Sequence, residues 1–342
     1  MVSNRIDTER FGAQSPGTRL LNIMSRSGVY IMIVLLLVLG TIVAPGIFLT
    51  PNNMMDILEV GALLGTVALG VTFVTYSGNF LDMSVPSIMA FSGIMAVQLL
   101  PLGLAASIAG ALLTGALIGA INGFMVGRLK ANPIIWTLAV QFLVSGMLKW
   151  AYTGNQIYPD AVAGVNMRVV EAFYAIYRTR LFGTIPLVVL IMLALALLCQ
   201  VVLSWTRFGQ QLRMTGSSIK AARCSGINTG LTVWIAFIIC GCFAGIGGLL
   251  LSSLSKLGAF YMGEGYDFST LIAIVLGGVT LLGGRGTFVG VVGGVITLGL
   301  LSNILTFIGL GTFPQLFVKG FVFILIVWLN TFSLRKLGKD YV

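Results

Sequence analysis

The chain has 342 residues, of which 57% are hydrophobic and only 9% charged, and its mean hydropathy is +1.02. A water-soluble domain carries about 25% charged residues, so this composition excludes a soluble enzyme or binding module and marks an integral membrane protein. The net charge of +10 reflects where the basic residues fall along the chain and does not point to nucleic acid.

Residues 1–27 form a polar stretch with Arg5, Arg10, Arg19 and Arg26, read as a cytoplasmic N-terminal tail. An apolar run over 28–49 follows without a small-residue cleavage site, so it reads as a retained signal anchor and first span. Further runs of about 20 residues, the length that crosses a bilayer, centre on 57–77, 84–100, 104–126, 134–152, 183–204, 230–252, 269–283, 287–309 and 316–332. Continuous apolar runs indicate helices, because a barrel strand would alternate apolar and polar positions. The expectation is therefore an all-α membrane protein of about ten transmembrane helices, with a transmembrane domain over 28–332. Residues 333–342 read as a cytoplasmic C-terminal tail.

Basic residues test this count. With the N-terminus inside, the cytoplasmic segments hold Arg5, Arg10, Arg19, Arg26, Arg128, Lys130, Arg207, Arg213, Lys220, Arg223, Arg285, Arg335, Lys336 and Lys339, which is 14 of the 20 lysines and arginines. Such an excess on one side is the positive-inside bias of multi-pass proteins, and it places both termini in the cytoplasm.

The chain also resembles itself. Asp82-Met83-Ser84 opens the third span and Asp267-Phe268-Ser269 the eighth. Gly115, Gly119, Gly123 and Gly127 in span 4 are answered by Gly286, Gly290 and Gly294 near span 9 at the same step. Asn122 precedes Pro133, and Asn303 precedes Pro314, by the same interval. Spans 2–5 and 7–10 thus read as two copies offset by five spans. An odd offset inverts one copy, as in transporters whose path lies at the repeat interface. Glycines at a four-residue step are first of all packing residues, since they let a neighbouring helix approach closely. The 44 glycines make up roughly 13% of the chain against about 7% in ordinary proteins.

The chemistry-bearing residues are few. There is no histidine, and Cys199, Cys224, Cys240 and Cys242 include no Cys-x-x-Cys pair; neither a disulfide framework nor a zinc site is expected. No Gly-x-x-x-x-Gly-Lys-Ser/Thr phosphate loop occurs, so any ATP hydrolysis belongs to a partner. The helix centres carry no charge, which argues against an ion-coupled secondary transporter or channel. Nor is there a pair of carboxylates or a nucleophile arrangement for a membrane enzyme.

One stretch is suited to a partner: the cytoplasmic loop 205–229. Ser217 or Ser218 can cap a short helix, Ala221 and Ala222 favour it, and Gly226 can end it. Its small residues would let it seat in a groove on another protein. The other reading is a basic loop held by lipid headgroups.

At this loop the chain resembles the permease subunits of ATP-binding cassette importers for sugars, of the ribose and autoinducer-2 type. The family's T-x-F-G appears as Thr206-Arg207-Phe208-Gly209 and its A-x-G-x-N-x-x-A-A motif as Met214 to Ala222, with Met214 and Ser218 departing from it. The closing G-I-N is Gly226-Ile227-Asn228. Gly277 to Gly286 matches G-G-x-x-L-x-G-G-x-G, and Asn122-Gly123 followed by Lys130 to Leu138 matches a third signature. A fourth, G-x-I-D-L-S-V-G, appears altered over Gly78 to Pro86.

The resemblance implies a pathway formed by two permease subunits, either a homodimer or a pair of paralogues. ATPase subunits would hold ATP and magnesium, and an extracytoplasmic solute-binding protein would deliver a monosaccharide or similar solute. A permease for branched-chain amino acids or nucleosides is the nearest alternative. The resemblance places the chain in a bacterial inner membrane, and it makes Gly216, Ser217, Ser218, Ala221, Ala222 and Gly226 the ATPase-coupling segment. Asn79 and Asp82 would border the pathway, although Asp82 or Ser84 can equally serve as the cap of span 3. Asn122 and Asn303 are hydrogen-bonding candidates for an uncharged solute, or else interhelical bonds of the bundle. Phe80 and Phe268 are candidates for stacking on a sugar or closing a gate.

Overall fold

The computed structural model describes residues 16–181 and 183–336; the outermost parts of both tails lie outside the described residues. The helices are α1 (Pro16–Val43), α2 (Pro51–Tyr76), α3 (Val85–Gln98), α4 (Leu104–Gly123), α5 (Pro133–Ala151), α6 (Met167–Arg178), α7 (Leu187–Trp205), α8 (Arg207–Ser217), α9 (Ile219–Cys224), α10 (Thr229–Ser255), α11 (Tyr266–Leu276), α12 (Phe288–Phe307) and α13 (Thr312–Lys336). A short antiparallel hairpin, β1 (Arg180–Leu181) with β2 (Ile185–Pro186), joins α6 to α7. The chain is an all-α membrane protein. Among the described residues, six helices are long and apolar enough to span a bilayer, and shorter apolar helices at Val29–Val43, Val85–Gln98, Tyr266–Leu276 and Thr312–Leu325 fill the remaining positions expected from the sequence. Helix α1 begins at Pro16, inside the stretch read as a polar tail, and ends before the predicted end of the first span.

Local chemistry sets the boundaries. Thr50 caps α2 through the Asn53 amide (3.4 Å), with Pro51 in the first turn, where its missing N–H costs nothing. Asn132 caps α5, accepting from the amides of Ile134 and Ile135 at 3.1 and 3.3 Å ahead of Pro133. Within α2, Thr66 and Thr72 return their hydroxyls to the carbonyls of Ala62 and Ala68, so polar side chains sit in an apolar core without orphaned groups.

Helices α2 and α10 form the centre, and the two predicted repeats pack alike around them. Helix α2 touches α11 and α12, and α10 touches α3 and α4; α3 rests on α4 and α5 as α11 rests on α12 and α13. The glycine rows do pack, but on different partners. Those of α4 meet α10: a Cβ at Gly115 would lie 2.9 Å from the Gly241 carbonyl carbon, so two backbones touch where any side chain would separate them. Those of α12 meet α11 instead, with Gly294 against the Gly277 amide. Between α12 and α2 the glycines are Gly299, against Ile57, and Gly61, against Val295; an added Cβ there would stand 3.1 and 3.4 Å from a side chain and not on a facing glycine backbone.

Helices α3 and α11 are the short members. At 1.5 Å per residue they reach roughly 21 and 17 Å, less than the ~30 Å of a hydrocarbon core. The connections that complete these passages run at depth. Gly258 lies against Ile94 and Val97 near the C-terminal end of α3, and Gly263 against Pro86 and Met89 at its start. Segment 256–265 thus descends alongside α3 before α11 begins. Irregular backbone at this depth is tolerated because protein covers it.

Outside the bundle, α6 is amphipathic. Val170, Phe173 and Tyr177 recur on one face and are buried, and the Phe173 carbonyl accepts from Ser253 Oγ at 2.7 Å. The Tyr177 hydroxyl donates to the Glu59 carbonyl at 3.2 Å; burial first, then the Glu59 carboxylate, push that phenol well above its ordinary pKa. Arg180 bridges Asp56 and Glu59 at 3.4 and 3.1 Å on the same end.

Candidate functional site: a docking segment and a re-entrant loop

The loop read as a coupling segment is two helices. Thr206 caps α8 through the Gly209 amide (3.1 Å), and Gly209, Leu212 and Thr215 form its buried face. The sequence reading places only one short helix in this loop; the Thr206 cap ahead of apolar Phe208 and Leu212 is the local signal that could have found α8. Ser218, one of the two predicted caps, accepts from the Ala221 amide at 3.2 Å and starts α9. Gly226, at φ 77, closes it. The Ile227 amide donates to Ala222 O and the Gly226 amide to Arg223 O, both at 3.0 Å. That pair of bonds is a glycine-terminated helix stop.

Around α9 the side chains divide. Ala222 is fully buried against its own chain, while Ile219, Lys220, Ala221, Arg223, Cys224 and Gly226 are exposed. The result is a short knob with an apolar tip and two cations. Lys130 stands near Arg223; burial first, then that guanidinium, hold its ammonium below the ordinary pKa.

Gly216 packs inward on two irregular loops, and Ser217, itself exposed, stands beside Gly284. A Cβ on Gly216 would strike the Tyr76 carbonyl and lie 2.6 Å from the Gly284 amide nitrogen. The Gly284 amide donates to Tyr76 O at 3.0 Å, and the Tyr76 hydroxyl donates to Gly286 O at 2.6 Å. The end of α8, the end of α2 and the 277–287 loop therefore form one backbone-to-backbone junction.

The pathway candidates separate into groups. Loop 77–84 carries Asn79, whose amide donates to Ser77 Oγ at 2.7 Å, and Phe80, which is exposed and held at φ 60. Asp82 is fully buried: its Oδ1 accepts from the Ser84 amide (2.9 Å) and from Ser84 Oγ (2.5 Å), while Oδ2 has no hydrogen-bond partner among the described residues. Asp82, rather than Ser84, thus takes the orphan amide at the start of α3. Asn122 joins the group, donating to Ser84 Oγ at 2.8 Å and accepting from Trp136 Nε1 at 3.1 Å. Asn303 lies elsewhere, in a reciprocal side-chain pair with Asn53 at 3.2 and 2.8 Å. Phe268 is exposed in the first turn of α11, beside a nearly buried Asp267. From the sequence Ser84 is only a possible cap, and Trp136 and Thr137 are only part of the Lys130–Leu138 signature; the bonds that tie them to Asn122 and to the Met83 amide follow from the packing and not from a local pattern.

Comparison with known proteins agrees with this architecture. Residues 53–327 match the family model described as branched-chain amino acid transport system / permease component. The ribose import permease protein RbsC of Bacillus subtilis (strain 168) is 30% identical over 332 residues, covering 94% of this chain and 98% of the relative. The L-arabinose transport system permease protein AraH of Escherichia coli (strain K12) is 30% identical over 93% of this chain and 94% of its own. The xylose transport system permease protein XylH of Haemophilus influenzae is 27% identical over 90% of this chain and 97% of its own. With the family model spanning most of its length and such relatives covering nearly all of it, the chain belongs to this family of membrane transport permeases.

Proposed function

We propose that the chain is the membrane-spanning permease subunit of an ATP-driven importer for a monosaccharide or a similar small polar solute. The observation that carries the reading is the exposed α9 knob that follows directly on the end of α8, where Gly216 packs on the backbones of Tyr76 and Gly284: a surface for a partner, continuous with a helix end that touches the loops leading into the bundle. The relatives named for ribose, arabinose and xylose favour sugars over amino acids.

In this reading a separate ATPase grips Ile219, Ala221 and Arg223 and supplies all the ATP and magnesium chemistry. A second permease, identical or paralogous, completes the pathway, and a solute-binding protein docks at the opposite end, near Arg180 and α6. The basic α8–α9 face is cytoplasmic, as are both termini, in a bacterial inner membrane. The substrate class is tested in proteoliposomes holding the permease, its ATPase and its binding protein, by uptake of labelled ribose, arabinose and xylose against leucine and a nucleoside. Saturable uptake of a pentose, undisturbed by excess leucine, supports the reading; leucine or nucleoside uptake alone overturns the sugar assignment.

A further inference from the structure

Helix α5 sits at the edge of the bundle, touching chiefly α3 and only lightly α4. It is joined to α4 by an unusual connection. Phe124–Arg128 forms a single π-helical turn, and Lys130 then adopts a left-handed φ of 59 before the Asn132 cap. Such π turns inside helices mark sites of altered geometry and frequently of function, and a left-handed non-glycine residue is held only where its surroundings require it. The connection has the form of a hinge.

Two side chains of the first turns of α5 tie it back down. Trp136 Nε1 donates to Asn122 Oδ1 at 3.1 Å, and Thr137 Oγ1 accepts from the Met83 amide at 2.9 Å while donating to Pro133 O at 2.8 Å. Both bonds end on one structure: Asn122 holds Ser84, Ser84 holds Asp82, and Met83 lies between them. The same loop meets the docking segment at its other end, where a Cβ on Gly78 would stand 3.5 Å from the Gly216 Cα. Loop 77–84 therefore touches the end of α8 on one side and the start of α5 on the other.

We infer that Trp136 and Thr137 are positioning residues that latch the hinged α5 to loop 77–84, so that displacement of α8 by its partner is passed to α5. Each is a half-buried neutral hydrogen bond, of a kind whose net worth is about 1 kcal/mol, small enough to be made and broken in a transport cycle. The coupling part of this inference rests on the ATP-driven reading above; the latch itself does not.

Two measurements test it. In nanodiscs, Thr137→Val should speed amide hydrogen exchange in 79–84 by about fivefold, the loss of one such bond, and Thr137→Ser should restore protection. In the reconstituted importer, Trp136→Phe and Thr137→Val should keep ATPase activity but lower the solute moved per ATP several-fold; Thr137→Ser and the outward-facing control Phe142→Leu should match wild type. Wild-type exchange in Thr137→Val overturns the latch. Faster exchange with an unchanged solute-to-ATP ratio overturns its role in coupling. If the wild-type chain shows no ATP-driven uptake, the functional reading fails, and the exchange result alone judges the latch.

Discussion

Replacing Gly216 by alanine probes the junction on which coupling depends. The added methyl would stand 2.6 Å from the Gly284 nitrogen and closer still to the Tyr76 carbonyl, and both neighbours are backbone, which cannot rotate away. An ordinary contact needs about 3.4 Å or more, so α8 and the 277–287 loop must part by close to 1 Å. Overpacking of this kind costs about 1–3 kcal/mol. The Gly284–Tyr76 bond of 3.0 Å, stretched by the same movement, adds about 1 kcal/mol. We expect Gly216→Ala to lower stability by about 2–4 kcal/mol and to abolish ATP-driven uptake while membrane insertion remains intact. The assay is thermal unfolding of the detergent-solubilised chain alongside uptake in proteoliposomes. Gly311→Ala, where nothing lies within 4 Å, serves as the control and should change stability by less than about 0.5 kcal/mol. A Gly216→Ala protein with wild-type melting and uptake would refute the junction.

Ala222 is fully buried, so a charge there would unsettle the chain itself. Ala221→Glu on the exposed side of α9 is the sharper probe, and we expect association with the ATPase to weaken at least tenfold with melting unchanged; undiminished association counts against the docking surface. Asn303→Ala should break the reciprocal pair with Asn53 and cost about 1–2 kcal/mol with an unaltered KM for uptake, whereas a changed KM would return Asn303 to the pathway. Arg180→Ala removes an exposed bridge to Asp56 and Glu59, so stability measured by unfolding should fall by less than about 1 kcal/mol, and less again at high salt.

The parts of this molecule that could be read from its sequence are those written in local pattern. Apolar runs located the spans because a bilayer demands them. Ser218 and Gly226 marked the ends of α9 because caps and left-handed stops have their own residue types. The repeat was visible in paired motifs, and the mirrored packing of α3 on α4 and α11 on α12 follows from it. Other features depend on residues distant in the chain. Nothing in the neighbourhood of Trp136 announces Asn122, nor does Thr137 announce the Met83 amide. Helix α6 escaped notice because its apolar face is narrow and lies within a polar connection. The two glycine rows looked equivalent in spacing, yet packing gave them different partners: α10 for one and α11 for the other.

The most direct test of an ATP-driven permease is solute accumulation in proteoliposomes with every ion gradient collapsed by ionophore. With ATPase subunits, binding protein and ATP supplied, uptake should continue at the same rate, and the permease alone should give none. Gradient-driven accumulation by the purified chain without its ATPase, or loss of uptake on adding ionophore at constant ATP, would contradict this mechanism.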